Sequence, residues 1–212
     1  MLYADDTNLI ITSHSPIEFA NKLNIVFANV KEWFRKNLQF LNFNKTTYLQ
    51  FWTKNSKKFD SSITSRNNQI TNITNTKFIS LTMEETFSRK CHINHILSRL
   101  SLACYVIKVI TPVMSEDTSK MIYYSYIHSI ITYGIILWGK SPLSIDNFKI
   151  QKRIIWIMTK SRSRDSCKQL FRRLEILPLQ SQYIFSVLLF VVNNNFYLQP
   201  TKKCITLPQD QI

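Results

Sequence analysis

The longest regular pattern of apolar and polar positions lies in residues 13–38. Ser15 is placed to cap a helix, Pro16 suits the first turn, and Glu18 completes a capping box. Apolar side chains then recur at helical spacing, at Phe19, Leu23, Val26, Val30 and Trp33. The pattern predicts one long amphipathic helix whose apolar face packs on a sheet.

Short β patterns surround this helix. Leu9, Ile10 and Ile11 follow an acidic turn and predict a buried strand. Residues 41–44 alternate apolar and polar, which predicts a second strand, and residues 48–52 predict a third that returns beside it. The polar stretch 53–75 predicts a thin hairpin turning at Asn67 and Asn68. Residues 78–82 predict a further β segment.

Beyond Ser88 the apolar positions follow helical spacing for nearly all of the remaining chain. One helix is predicted to end at Thr111 and Pro112, and the next begins at Ser115 and ends near Gly139. A third covers 144–160, Asp165 is expected to cap a fourth over 166–174, and the last covers 179–192. The helical stripe of the first runs through Ile93, Ile96, Leu97, Leu100, Cys104, Ile107 and Ile110, that of the second through Met121, Tyr124, His128, Ile131 and Ile135, and the third helix is expected to bury Ile150, Ile154 and Ile157.

These patterns together predict an α+β chain. A short antiparallel sheet with one long helix is expected in residues 1–86, a helical bundle in 87–195 and a loose tail in 196–212. The chain has 212 residues and 45% hydrophobic residues, which is enough to bury a core.

Composition excludes several classes of protein. With only 2 glycines, the chain cannot form the phosphate-binding loops of P-loop or Rossmann enzymes. The 4 cysteines are far apart, which argues against a zinc ribbon or a disulfide framework and fits a reduced intracellular protein, nuclear or cytoplasmic. No secretory signal is recognised, and no membrane insertion is expected.

Charge points to a polyanionic partner. The net charge of +14 comes from 27 Lys and Arg against 13 Asp and Glu, so nucleic acid is the first candidate and an acidic membrane surface the second. The predicted bundle carries most of the excess, at Lys140, Lys149, Lys152, Arg153, Lys160, Arg162, Arg164, Lys168, Arg172 and Arg173. Such a run predicts contact with a nucleic-acid backbone, with a merely solvated helix face as the alternative.

Two adjacent acids are the clearest candidate for chemistry. Asp5 and Asp6 follow Tyr3 at a predicted tight turn, where both carboxylates can reach one edge of a sheet and hold a divalent cation such as Mg²⁺. The alternative is an ordinary acidic turn. A weaker candidate is the group Cys91, His92 and His95, which could be metal ligands or simply surface and capping groups.

The order of these motifs resembles a known family. It runs from an aromatic-x-Asp-Asp turn through an amphipathic helix, the segment LNFNKT at 41–46 and FISL at 78–81 to a basic helical region containing YGIILWG at 133–139. CKQLF at 167–171 and LEILPL at 174–179 follow. This order resembles the reverse transcriptase of non-LTR (LINE-like, jockey-type) retrotransposons, over nearly the whole chain.

The resemblance implies a partial polymerase palm followed by a thumb-like bundle and an RNA-directed DNA polymerase function. Asp5 and Asp6 would be the catalytic, Mg²⁺-binding acids, and Lys45 would lie near the phosphates of the incoming deoxynucleotide. The implied contacts to the RNA template and RNA/DNA duplex are Tyr3 at the primer terminus, Phe78 in the primer-grip hairpin, and Lys149, Lys152, Arg153, Lys160, Arg162 and Arg164 in the thumb. No protein partner is implied.

The departures from the family also carry information. The family has a further palm aspartate upstream of the Asp-Asp turn and a fingers region, and this sequence has neither. Position 80 is Ser where the family's hairpin usually has Gly. We therefore expect a truncated reverse transcriptase that is inactive alone, the alternative being a non-catalytic, sequence-independent nucleic-acid-binding module or a decayed relic.

Overall fold

The computed structural model of the chain describes residues 2–3, 6–13, 15–53, 63–65 and 68–194. By their contacts the residues fall into two units, Met1–Ser88 and Arg89–Ile212. Every described strand lies in the first unit together with one long helix, and the described part of the second unit is helical. The chain is therefore a mixed α+β protein in which helix predominates.

The long helix of the first unit is α1, Pro16–Lys36, and its predicted start is confirmed. Pro16 occupies the first turn, and the Ser15 hydroxyl accepts a hydrogen bond from the Glu18 amide at 3.2 Å. The predicted packing on a sheet is not seen, because the described strands make no extended contact with α1. Its apolar face is only half-buried, and Trp33 is 46% exposed.

The amino-terminal strands are very short. Strand β1 (Leu2–Tyr3) pairs antiparallel with β2 (Asp6–Thr7), which sets Tyr3 opposite Asp6. The predicted buried strand at Leu9 to Ile11 is wrong, because these residues have no strand structure and Leu9 and Ile10 are 54% and 90% exposed. An apolar run becomes a buried strand only where neighbours pair with it and cover it, and the described residues supply neither.

A turn replaces the strand predicted over 41–44. The Asn42 side-chain oxygen accepts hydrogen bonds from the amides of Asn44 and Lys45, and its carbonyl accepts one from Thr46. An asparagine that bonds its own backbone in this way competes with a strand ladder. The alternation of apolar side chains was therefore not a β pattern, and only Thr47–Tyr48 (β3) of the following segment is a strand.

Two further strands complete the second sheet. Strand β5 (Asn68–Asn72) lies between β3, to which it is parallel, and β4 (Ile63–Ser65), to which it is antiparallel. The predicted thin hairpin is thus present, although Asn68 begins β5 and Asn67 lies outside the described residues.

The third sheet is the hairpin predicted near residue 80. Strands β6 (Asn75–Phe78) and β7 (Leu81–Glu84) pair antiparallel, with Phe78 opposite Leu81. The two loop residues, Ile79 and Ser80, have φ of 45° and 60°. Two-residue hairpin loops favour this left-handed backbone because it matches the twist of the strands, and they usually use Asn or Gly to reach it.

The second unit is built on α2 (Lys90–Ile110) packed along α6 (Ser144–Met158). The predicted stripe of α2 is confirmed at its buried positions, Ile93, Ile96, Leu100, Cys104 and Ile107. By length and composition, Lys90–Val113 could also cross a membrane, with a mean hydropathy of 1.6. The core helix of a bundle can meet the same criterion; one face of α2 packs along α6, and 33% of its most apolar stretch is buried.

The helix predicted from Ser115 to Gly139 is a chain of shorter segments. Ser115 caps α3 (Glu116–Ile122), which continues through a π-helical segment (Tyr123–His128) into α4 (Ser129–Thr132). Gly134, at a φ of 60°, separates α4 from α5 (Ile135–Trp138).

The buried face of these segments differs from the predicted one before and within the π segment. Tyr123 and Ile127 are fully buried, whereas the predicted Met121 and Tyr124 are 66% and 39% exposed. A π turn holds more residues than an α turn, so it shifts the stripe that was extrapolated at 3.6 residues per turn. Ile131, beyond the segment, is buried as predicted.

Two helices complete the bundle, α7 (Cys167–Arg173) and α8 (Leu179–Asn193). Asp165 does not cap α7 as predicted, because its carboxylate accepts the Arg162 amide at 2.8 Å and Ser166 stands at the cap position. In α6, Ile154 is fully buried as predicted, while Ile150 and Ile157 are partly buried.

Gln151 connects α6 to the rest of the bundle. Its amide nitrogen donates to the Tyr123 hydroxyl at 2.8 Å and to the Leu177 carbonyl at 3.0 Å, and its amide oxygen accepts the Leu179 amide at 2.9 Å. This buried side chain thereby fixes the π segment and the start of α8 against α6.

Candidate nucleic-acid interface

The predicted acidic turn with Asp5 and Asp6 is only partly described. Backbone pairing sets Tyr3 opposite Asp6, while Asp5 lies outside the described residues. Among the described residues, no group of three or more His, Cys, Asp or Glu side chains could hold a metal ion.

Lys45 is exposed in the turn organised by Asn42. One residue separates Lys45 from β3. Strand β3 belongs to a different sheet from β2, which contains Asp6. The described structure thus does not join the predicted lysine and the predicted acid in one sheet.

Phe78 is half-buried at the end of β6, beside the strained loop of the hairpin. Cys91, His92 and His95 are not brought together as a possible metal-binding group among the described residues. His92 is buried, and burial, together with the nearby His95, lowers its pKa, whereas Cys91 and His95 are exposed. Cys91 and His95 are thus surface groups, as the alternative interpretation has it, whereas His92 is not.

The bundle brings its predicted cations onto neighbouring stretches of chain. They lie on α6, on the connection 159–166 and on α7, and we call them the basic surface: Lys149, Lys152, Arg153, Lys160, Arg162, Arg164, Lys168 and Arg172. Arg153, Lys160, Arg162 and Arg164 are exposed and form no ion pair within the described residues. Their charges are therefore available to an external anion.

Two of the predicted cations are engaged within the bundle. Lys149 Nζ lies 2.8 Å from Asp146 Oδ1, and Lys152 Nζ lies 4.6 Å from the centre of the Phe148 ring. Both interactions are of kinds that contribute little at exposed sites. Arg173, farther along α7, pairs with Glu116 at 2.9 Å and is not counted in the basic surface.

The connection between α6 and α7 has a defined backbone. The Lys160 amide donates to the Ile157 carbonyl at 3.1 Å and the Ser161 amide to the Trp156 carbonyl at 3.0 Å, with Lys160 at a φ of 52°. These bonds form a Schellman motif at the end of α6. The Trp156 indole also donates to the Asp165 carbonyl at 3.2 Å, which ties the connection back to the helix.

Sequence reasoning missed an apolar groove beside the basic surface. Phe148, Phe171, Leu177 and Pro178 line it, and three cations stand around it. A signal existed in the two phenylalanines that flank the run of cations, but the fold was needed to bring α6, α7 and the start of α8 together.

Comparison with protein-family models, with curated proteins and with solved structures found no match for this chain.

Proposed function

We propose that the chain is the palm and thumb part of a non-LTR retrotransposon reverse transcriptase and that its bundle binds nucleic acid without reading sequence. The observation that carries the proposal is the group of exposed cations, Arg153, Lys160, Arg162 and Arg164, that form no ion pair within the described residues. The order of sequence motifs supports the family, and the hairpin that pairs Phe78 with Leu81 agrees with it.

Backbone contact is the mode of binding that such a surface favours. Lys and Arg side chains displace the counterions of phosphates, and contacts to phosphates position a protein without distinguishing bases. Exposed cations that are not neutralised within the protein attract phosphates over a distance of about one Debye length, roughly 8 Å at physiological salt. An RNA/DNA duplex is the ligand that the resemblance implies for this bundle.

The binding test removes three of these charges together. The variant Lys160→Gln, Arg162→Gln, Arg164→Gln should weaken binding to an RNA/DNA duplex and reduce the slope of log affinity against log salt by roughly 2 to 3. The matched control is Lys22→Gln, Arg35→Gln, Lys36→Gln on α1, which makes the same change in net charge. Equal losses in the two variants, or binding by the parent chain that ignores salt, would contradict the proposal.

Polymerase activity is a separate question. We expect this 212-residue chain to show no primer extension on an RNA template with Mg²⁺ or Mn²⁺, because the family's further palm aspartate is not in the sequence. The measurement includes Asp5→Asn as a control. Extension that the parent chain performs and this variant does not would show that the expectation is wrong.

A further inference from the structure

An open groove lies where α6, α7 and the start of α8 meet. It encloses about 640 Å³ and is lined on its apolar side by Phe148, Phe171, Ile176, Leu177 and Pro178. This volume falls within the range of ligand-sized clefts, roughly 300–1,000 Å³. The basic surface described above borders the same groove.

The apolar lining has a floor and an accessible rim. Phe171 is 4% exposed and forms the floor, and its ring lies nearly parallel to that of Phe148 with the centroids 6.3 Å apart. Leu177 is 44% exposed at the rim. A flat apolar group that enters the groove therefore meets aromatic and aliphatic carbon on several sides.

Three cations surround this lining. Lys168 and Arg172 lie one helical turn apart on α7, and both are exposed and form no ion pair in the part of the chain that the structure describes. Lys152 stands over Phe148 from α6. Glu175 also lines the groove, but its carboxylate is 2.8 Å from the Lys120 ammonium, and this hydrogen bond lowers its pKa. Lys120 thus compensates the negative charge of Glu175.

We propose that this groove holds a single-stranded segment of nucleic acid, with an unpaired base against the apolar lining and its flanking phosphates on Lys152, Lys168 and Arg172. The inference rests on the proposed function and names a second form of the ligand for the same bundle. Single strands are bound by apolar and aromatic surfaces bordered by cations, because their bases are free to leave the stack. A duplex offers its phosphates but keeps its bases paired, so it gains nothing from the lining.

Charge and continuity favour this occupant over a peptide. The cations of the groove, Lys152, Lys168 and Arg172, belong to the basic surface, and the connection that contains Arg162 and Arg164 leads directly into α7, which carries Lys168. A strand whose phosphates contact Arg162 or Arg164 is therefore bound on the segment of chain that leads into the groove. An acidic peptide would use the same cations, and we treat it as an outcome of the test.

The experiment compares a 20-nucleotide single strand with a duplex of the same length by fluorescence anisotropy at fixed salt. Phe148→Leu and Leu177→Gln should each weaken binding of the single strand about fivefold or more, and leave duplex affinity within about twofold. The matched control is Leu102→Gln, an exposed leucine on α2 that does not line the groove. Thermal melting of each variant confirms that it is folded. If Phe148→Leu does not fold, Leu177→Gln alone still tests the groove.

Each other outcome has a definite meaning. Single-strand affinity that is unchanged in both groove variants, or that falls equally with duplex affinity, overturns the groove assignment and leaves the basic surface intact. An acidic peptide that displaces the single strand and binds more tightly also overturns it. Failure of the parent chain to bind either nucleic acid overturns the proposed function and this inference together.

Discussion

Lys160 occupies a backbone position that glycine usually fills. It is the residue after the cap of α6 in a Schellman motif, at a φ of 52°, where a side chain with a Cβ is strained. Leu38 follows α1 and Glu175 follows α7 with the same pattern of amide bonds. A chain with only 2 glycines must end its helices with other residues, and it accepts the local strain of doing so.

Substitution of Lys160 separates its backbone role from its charge. Lys160→Gly should raise the free energy of unfolding by about 0.5–1 kcal/mol, because the relief of the left-handed strain exceeds the added entropy of the unfolded chain. The same change should weaken duplex binding, because it removes a cation of the basic surface. Urea denaturation and anisotropy measure the two effects.

Lys160→Ala is the control for this prediction. It removes the charge but keeps a Cβ at the strained φ, so duplex binding should fall as in Lys160→Gly without the gain in stability. A loss of stability in Lys160→Gly, or duplex affinity unchanged in both variants, would contradict the assigned roles.

Two further positive-φ residues, Ile79 and Ser80, place a different strain in the hairpin of β6 and β7. Ile79 is β-branched and is held at a φ of 45°, which such residues rarely adopt. Strand pairing on both sides of the loop holds this backbone in place. The serine at position 80 is therefore tolerated by the structure, although glycine would fit the same loop without strain.

At the scale of elements, Gly139 sets the distance between α5 and α8. A Cβ built at this position would lie 2.7 Å from Cδ2 of Tyr183 on α8 and 2.8 Å from the Ile135 carbonyl oxygen. Contacts this short require the backbone or the neighbouring helix to move. The glycine is needed here for close approach rather than for an unusual φ, which is −62°.

The consequence is a prediction about packing. Gly139→Ala should lower the free energy of unfolding by about 1–3 kcal/mol, the range typical of overpacked cores. Gly134 is a glycine for a different reason, because its φ is 60°. Gly134→Ala is therefore a comparison variant in which backbone strain, and not packing, lowers the free energy of unfolding. Denaturant melts followed by circular dichroism measure both variants.

A second substitution distinguishes the packing explanation from a general loss of helix stability. Tyr183→Leu combined with Gly139→Ala should recover part of the lost stability, because the ring atom nearest the added methyl group is then absent. Strict additivity of the two changes would show that the contact between α5 and α8 is not the cause.

At the scale of the whole molecule, prediction from sequence succeeded where local signals and burial agree. The start of α1 at Ser15 and the buried stripe of α2 from Ile93 to Ile107 follow from capping and helical periodicity alone. Prediction was wrong where a neighbour decides the outcome. Leu9 and Ile10 had an apolar pattern but no covering partner among the described residues, and Asn42 formed a turn within an apparent β alternation.

For the candidate site too, prediction succeeded for exposed side chains and failed where a neighbouring residue decides the outcome. The cations of α6 and the connection 159–166 could be listed from composition, because exposed Lys and Arg need no particular partner. The sequence could not show which of these cations is available to a ligand. The ion pair of Lys149 with Asp146 and the position of Lys152 over Phe148 depend on helix geometry. The apolar groove could not be predicted either, because it depends on how three consecutive helices, α6, α7 and α8, pack together.

The two units differ sharply in how much they bury, and this difference predicts their stability. Among described residues of the first unit, Ile70 and Glu84 are buried, whereas α2 alone contributes Ile93, Ile96 and Leu100 to the core of the second. Helices gain most of their stability from packing of an apolar face, and poorly packed segments open locally at low free energy.

Hydrogen exchange on the intact chain provides a matched comparison, because α1 and α2 both contain 21 residues. Amides of α2 should exchange at least 100-fold more slowly than those of α1, which corresponds to a difference in opening free energy of about 2.7 kcal/mol or more. The two helices have the same length and so the same number of helical turns to open, and burial is the variable that differs between them. Comparable protection in α1 and α2 would mean that the long helix of the first unit is covered by a surface outside the described residues, and the low stability predicted for that unit would be wrong.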